Sequence, residues 1–150
     1  MKRILFICHG NICRSTMAQF VMMHLVRERG LEHEFAIDSA ATTNEDVGSI
    51  PHRGTRFKLA QQGIECGEHY ARQMTRADYA DFDLIIGMDS ENMHGMRRIA
   101  GGDPQGKLHL LLDWTARPRD IADPWYTGNF DATYDDVLEG CTALLAALVD

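Results

Sequence analysis

"FICHGNICRST", residues 6–16, passes from an apolar run into a polar loop and then into a helical pattern. Cys8 closes the run "RILFIC" (3–8), which has strand length and β-branched and aromatic content. Cys13 follows, then Arg14 and Ser15. From Ser15 to Arg29 apolar residues recur at helical spacing, with Met17, Val21 and Leu25 on one line and Ala18, Met22 and Val26 beside it. Ser15 reads as the helix cap and Gly30 as its stop.

The same alternation continues down the chain. "FAIDS" (35–39), "DLIIGM" (83–88) and "KLHLLL" (107–112) read as further strands. Residues 53–62, 75–82 and 90–99 read as helices, and Val137, Cys141, Leu144, Leu145 and Leu148 stripe a last one. "DWTARPRDIADPWYTGN" reads as a long loop. Strands separated by helices predict an α/β fold: one three-layer domain over 1–150, a four-stranded parallel sheet with helices on both faces, and an anion-binding loop after the first strand. In such sheets ligands bind beyond the carboxyl ends of the strands, where Cys8 lies.

The loop has the chemistry of an oxyanion cradle. Residues 9–14 set backbone N–H groups between a strand end and a helix N-terminus, whose unpaired donors and partial positive charge attract anions. Gly10 and Asn11 tolerate the left-handed conformations that turn successive N–H groups inward. Arg14 adds a planar fork that matches two oxygens of a phosphate. The same field favours the thiolate of Cys8. A thiolate beneath a phosphate is a nucleophile for phosphorus, and the Ser15 hydroxyl is placed to donate to it. The departing oxygen needs a proton. Asp123, ahead of Pro124 and the aromatic pair Trp125 and Tyr126, is the first candidate, with Asp120 as the alternative. The two aromatics would wall a slot for a flat phenyl ring.

Composition sets the outer bounds. The 150 residues are 45% hydrophobic and 25% charged, as in a globular domain. The formal net charge of −7 argues against a general nucleic-acid binder. The run Ile4–Cys8 is too short for a signal h-region, and no stretch approaches a membrane span. The cysteines Cys8, Cys13, Cys66 and Cys141 lack a dense disulfide spacing, so a cytoplasmic, reduced protein is expected.

Five motifs together carry a resemblance: "CHGNICRS" (8–15), "DSAAT" (38–42), "HYARQMT" (69–75), "FDLIIGMDSEN" (82–92) and "DPWY" (123–126). In this order and spacing the chain resembles the low-molecular-weight protein tyrosine phosphatases over essentially its whole length. The resemblance implies Cys8 as nucleophile, Arg14 as phosphate clamp and Asp123 as acid/base, with no cofactor and no metal. It implies a phosphate or substrate site formed by His9, Gly10, Asn11, Ile12, Cys13, Ser15, Glu45, Trp125 and Tyr126. It implies that Asn11 holds the cradle through Ser39 and His69, and that Cys13 forms a reversible disulfide with Cys8. The expected partners are tyrosine-phosphorylated proteins, a tyrosine kinase among the candidates, with phosphate and other oxyanions as ligands; nucleic acid and membrane are not expected. His9, Glu45 and Trp125 depart from the family pattern. Glu45 would favour a cationic neighbour of the phosphotyrosine or repel acidic peptides.

Other readings stay open at this stage. A protein-arginine phosphatase shares the fold, although such relatives tend to carry threonine where this chain has Ile12. An arsenate reductase needs two close cysteines late in the chain, where only Cys141 stands. A zinc site from Cys8, Cys13, Cys66 and His69 has a weak spacing. A phosphate-binding but inactive module would have no use for a positioned acid.

Overall fold

The computed structural model describes residues 1–149. Its first strand, β1 (Lys2–Cys8), pairs in parallel with β2 (Phe35–Ala41) on one side and with β3 (Leu84–Gly87) on the other. A short β4 (Leu108–Leu110) completes an all-parallel sheet of order β2-β1-β3-β4. Because side chains alternate along a strand, Ile4, Phe6 and Cys8 point to one face and Leu5 and Ile7 to the other.

The first face packs against α1 (Arg14–Glu28), α2 (Arg53–Gln61) and α6 (Phe130–Val149), through Met17, Val21, Leu59, Val137, Cys141 and Leu144. The second lies under α3 (Arg76–Asp81) and α4 (Ser90–Ala100), with Tyr79, Met96 and Ala100. These are the three layers expected from the sequence. Gly140 lets α6 approach closely, since a Cβ there would overlap Leu111. Lys58 on α2 reaches Asp131 of α6 at 2.8 Å and lies over the Tyr134 ring.

Several boundaries differ from the sequence reading. The apolar run 107–112 is strand only to Leu110. Asp113 accepts from the Leu110 N–H at 3.0 Å, and Leu111–Trp114 closes as a 3₁₀ turn. Within the expected long loop, α5 (Pro124–Thr127) forms because Asp123 caps it, Pro124 starts it and Gly128, at φ 69°, ends it. Ser15 is not a helix cap. Cys13 holds the N-cap position without a side-chain bond, and the Ser15 hydroxyl is engaged elsewhere.

The order of the strands places the site. The chain runs from β1 outward to β2 and then returns past β1 to β3, so a crevice opens at the carboxyl end of β1. Cys8 is the last residue of that strand.

Candidate active site

The loop after β1 turns its carbonyls away from the crevice. The Cys8 oxygen accepts from Thr42 N–H at 3.0 Å, and the His9 oxygen from the Thr43 hydroxyl at 2.9 Å. The Ile12 oxygen accepts from His52 N–H at 2.7 Å, and the Cys13 oxygen from the Thr55 hydroxyl at 3.1 Å. Among the described residues, the backbone N–H groups of residues 10–15 have no protein acceptor. A loop that directs its oxygens outward presents its nitrogens inward, which is the nest expected of an anion site.

Asn11 holds this shape. Among the described residues it is the one non-glycine residue with positive φ, at 61°, a conformation asparagine tolerates. Its buried amide is satisfied on both sides. Nδ2 donates to Ser15 Oγ at 2.8 Å and Ser39 Oγ at 2.9 Å, while Oδ1 accepts from His69 Nε2 at 2.9 Å and Arg72 N–H at 3.2 Å. The expected contacts to Ser39 and His69 are therefore present. Because Ser15 Oγ receives the Asn11 proton, its own proton is free to point at Cys8 Sγ, 3.0 Å away. Gly10 leaves room for a neighbour: a Cβ there would overlap the Asp46 carboxylate, which would have to move.

His69 makes the strut sensitive to acid. Donation to Asn11 Oδ1 places its proton on Nε2, and Nδ1 lies 3.7 Å from Asp38. Burial lowers its pKa below the ordinary histidine value; Asp38 opposes this and Arg72 adds to it. A histidine whose folded pKa is depressed contributes fully above the unfolded value of about 6.5. That stability is lost as pH falls from there through the folded value, because the unfolded chain binds the proton first. The expected result is a melting temperature that falls between pH 7 and 5 more steeply in the wild type than in His69→Gln, whose amide keeps the donor without titrating. Parallel profiles would remove the assignment.

Arg14 is 2% exposed, an unusual place for a cation. Nη1 donates to Asp89 Oδ2 at 2.6 Å and to the Ile121 carbonyl at 2.8 Å, and Nη2 faces Asp123 Oδ2 at 3.4 Å. Burial alone would lower its pKa, but Cys8, Asp89 and Asp123 outweigh that and hold it above the ordinary value. Nε is buried and has no partner, the one such side-chain nitrogen or oxygen among the described residues. An orphaned guanidinium donor in a cleft wall is the atom an oxyanion would satisfy.

One cleft gathers most of the predicted residues: Cys8, His9, Gly10, Ile12, Cys13, Arg14, Glu45, Asp123, Trp125 and Tyr126 all line it. Trp125 and Tyr126 stand at its rim and are 62% and 82% exposed, so they form an open lip where a deep slot was expected. Glu45 is paired with His9 Nε2 at 2.9 Å, and His9 Nδ1 lies 3.8 Å from Glu91. One Glu45 oxygen is thus already engaged by His9, another of the residues that depart from the family pattern. Asp120 is not in the cleft wall; its carboxylate accepts from Ser90 Oγ at 3.0 Å.

The cysteines are unlike one another. All four are free thiols. Burial pushes Cys13 up to about 12, helped by the charges of Cys8 and Asp123 and opposed by Arg14, so it stays a thiol near neutrality. Burial also raises Cys141, which is sealed between α6 and the Ala18 carbonyl of α1 and is out of reach as a relay thiol. Among the described residues no group of three His, Cys, Asp or Glu side chains converges as a metal site requires, so Cys8, Cys13, Cys66 and His69 do not form the zinc set considered above.

Three participants were not picked out from the sequence. Asp89 caps α4 with one oxygen and holds Arg14 with the other. Asp46 lies against Gly10 and lines the cleft. The Ile121 carbonyl anchors Arg14 from the loop that leads to Asp123. Only Asp89 carried a local signal, as an aspartate between a strand and "SEN".

Residues 3–150 match the model of the low molecular weight phosphotyrosine protein phosphatase family. The chain belongs to that family. It is 39% identical to low molecular weight protein-tyrosine-phosphatase YfkJ of Bacillus subtilis, over 99% of this chain and 96% of the relative. The crystal structure of YfkJ superposes with a TM-score of 0.96 over 99% of this chain and 94% of that one. The low molecular weight phosphotyrosine protein phosphatase of Rattus norvegicus is 36% identical, over 96% of this chain and 94% of the relative. The crystal structure of DARP, a drosophila arginine phosphatase, is 31% identical with a TM-score of 0.90, over 100% of this chain and 99% of that one. Low molecular weight phosphatase membership and the parallel sheet agree with the sequence reading.

Proposed function

We propose that this chain hydrolyses phosphotyrosine in proteins, and small aryl phosphates, through a phosphocysteine on Cys8. The thiolate attacks phosphorus, the bond from phosphorus to the phenolic oxygen breaks, and Asp123 gives that oxygen its proton. Water then attacks the phosphocysteine, Asp123 takes the proton, and the sulfur leaves as a thiolate that the Ser15 hydroxyl stabilises. Arg14 and the inward N–H groups carry the charge on the transferring oxygens. No cofactor takes part. The observation that carries the reading is the buried Arg14 Nε without a partner, in the wall of the cleft that also contains Cys8 and Asp123.

The substrates are tyrosine-phosphorylated proteins, with a tyrosine kinase as one candidate, and phosphate and like oxyanions bind as products or inhibitors. No helix among the described residues is long and apolar enough to cross a membrane, and we place the protein in the cytoplasm. Under peroxide, oxidation of Cys8 to a sulfenic acid followed by attack of the Cys13 thiol would give the protective disulfide and release water.

The likeness to an arginine phosphatase raises one second reading. Comparing kcat/KM for phosphotyrosine and phosphoarginine peptides in EDTA separates them, with phosphotyrosine expected to lead by roughly tenfold or more. Asp123→Asn is expected to lower turnover of the phosphotyrosine peptide by roughly 10²-fold. A preference for phosphoarginine would replace the substrate, and indifference to Asp123 would replace the acid.

A further inference from the structure

His52 precedes α2 and has no part in the chemistry above, yet it touches two of the pieces that line the cleft, the anion loop and Trp125, and the start of α6 as well. Its backbone N–H donates to the Ile12 carbonyl of the anion loop at 2.7 Å. Its Nδ1 accepts from Gly54 N–H at 2.9 Å and caps α2, which leaves the proton of the neutral ring on Nε2. The imidazole stacks on Phe130 at the start of α6, with centroids 5.1 Å apart and planes at 21°. Its other contact is edge-on with Trp125, at 5.8 Å and 84°. Gly54 makes this stack possible, because a Cβ there would overlap the Phe130 ring.

The Trp125 contact leads to the acid. Trp125 N–H donates to Asp123 Oδ1 at 3.0 Å, which turns Oδ2 toward Arg14. Trp125 is itself mostly exposed, so few other contacts hold the ring in place. The His52 ring therefore supports the residue whose backbone orients the carboxylate, while the His52 backbone supports the loop beneath the phosphate.

We infer that His52 is a positioning residue that couples the phosphate loop to the acid loop, acting on leaving-group protonation through Trp125 and Asp123. The inference rests on Asp123 being the general acid. The ring and the cap are separable. His52→Asn keeps a cap acceptor and loses the ring; His52→Phe keeps the ring and loses the acceptor.

The experiment measures kcat/KM for a series of aryl phosphates, from p-nitrophenyl phosphate with its good leaving group to phenyl phosphate with its poor one. A well-placed acid keeps the series nearly flat. His52→Asn is expected to lose roughly tenfold on phenyl phosphate and less than about threefold on p-nitrophenyl phosphate, a steepening produced by a misplaced acid. His52→Phe should keep the wild-type slope whatever its melting temperature. In an Asp123→Asn background, His52→Asn should add no further steepening, since residues acting through one group are not additive.

Should His52→Asn fail to fold, Trp125→Leu cuts the same contact from the exposed side and is expected to steepen the series in the same way. An equal loss on every substrate, a slope that follows the cap, or additive steepening in the Asp123→Asn background overturns the inference. A wild-type slope indifferent to Asp123 removes the proposed acid, and a wild type inert on the whole series removes the proposed function; in either case the His52 role is overturned along with it.

Discussion

Cys8→Ser is expected to give a folded, inert protein, with kcat down by on the order of 10⁴-fold or more, as when the nucleophile of a covalent mechanism is removed. The substitution changes one buried atom. A serine oxygen at position 8 sits where the sulfur meets Ser15 Oγ and keeps a hydrogen-bonding group in that place. It does not supply a ready nucleophile, because an alcohol is a far weaker acid than a thiol and gives up its proton far less readily. The cradle is otherwise intact, so a phosphotyrosine peptide should still bind, with a Kd within a few-fold of the wild-type KM. Iodoacetate, an anion, gives an independent readout by mass spectrometry. Rapid labelling near neutral pH should disappear with Cys8, because burial holds Cys13 as a thiol up to about 12, Cys141 is sealed, and burial raises the half-exposed Cys66 above the ordinary thiol value, so that it labels slowly. Residual turnover above about 1% of wild type in EDTA would mean that another group attacks phosphorus.

That prediction was legible in the first few residues because the relevant signals are local. An apolar run ending in cysteine, a stretch with Gly10 and Asn11, and a helical repeat are all patterns of near neighbours, and they placed β1, the loop and α1 to within a few positions. Signals failed where distant groups decide. "KLHLLL" reads as one strand because all its apolar residues are buried or half-buried; only Asp113, bonding back to Leu110, shows where the chain turns. Ser15 has the composition of a cap, but Cys8 and Asn11 are better placed to use its hydroxyl. Asp89 is a good cap by local rules and does cap α4, while its second oxygen meets a guanidinium 75 positions away. Asp46 and His52 carried no pattern, since their roles arise only once the loops after β2 and before α2 fold over the strand end. The family resemblance supplied Ser39 and His69, which composition alone would have left as an ordinary serine and histidine.

Arg14→Lys separates charge from geometry, and it carries the second large effect. The variant keeps one positive charge in the same place, so a purely electrostatic clamp would survive it. The guanidinium does more than supply charge. Nη1 is committed to Asp89 and to the Ile121 carbonyl, Nη2 lies toward Asp123, and Nε is left for a ligand. A lysine ammonium has three donors on one atom. If it satisfies Asp89 and Ile121, it has one donor remaining and no second arm to bridge two oxygens of a phosphate. If it turns to the phosphate, the Ile121 carbonyl and the Asp89 carboxylate lose a partner in a poorly hydrated site, at a cost of about 1–3 kcal/mol for each group. The charge that spreads over the equatorial oxygens in the transition state is where a planar fork fits best. The expected loss in kcat/KM is therefore on the order of 10³-fold, the upper range for removing an oxyanion-stabilising donor. It should divide between a raised KM and a lowered kcat, since the fork holds the ground state and holds the transition state more strongly. Thermal melting should fall as well, because the same nitrogen ties β1's loop to α4 and to the segment before Asp123. A variant within about fivefold of wild type in kcat/KM would show that a point charge is enough. Arg14 would then act as a buried counter-ion for Cys8, Asp89 and Asp123, and the backbone N–H groups would do the work of recognising the phosphate.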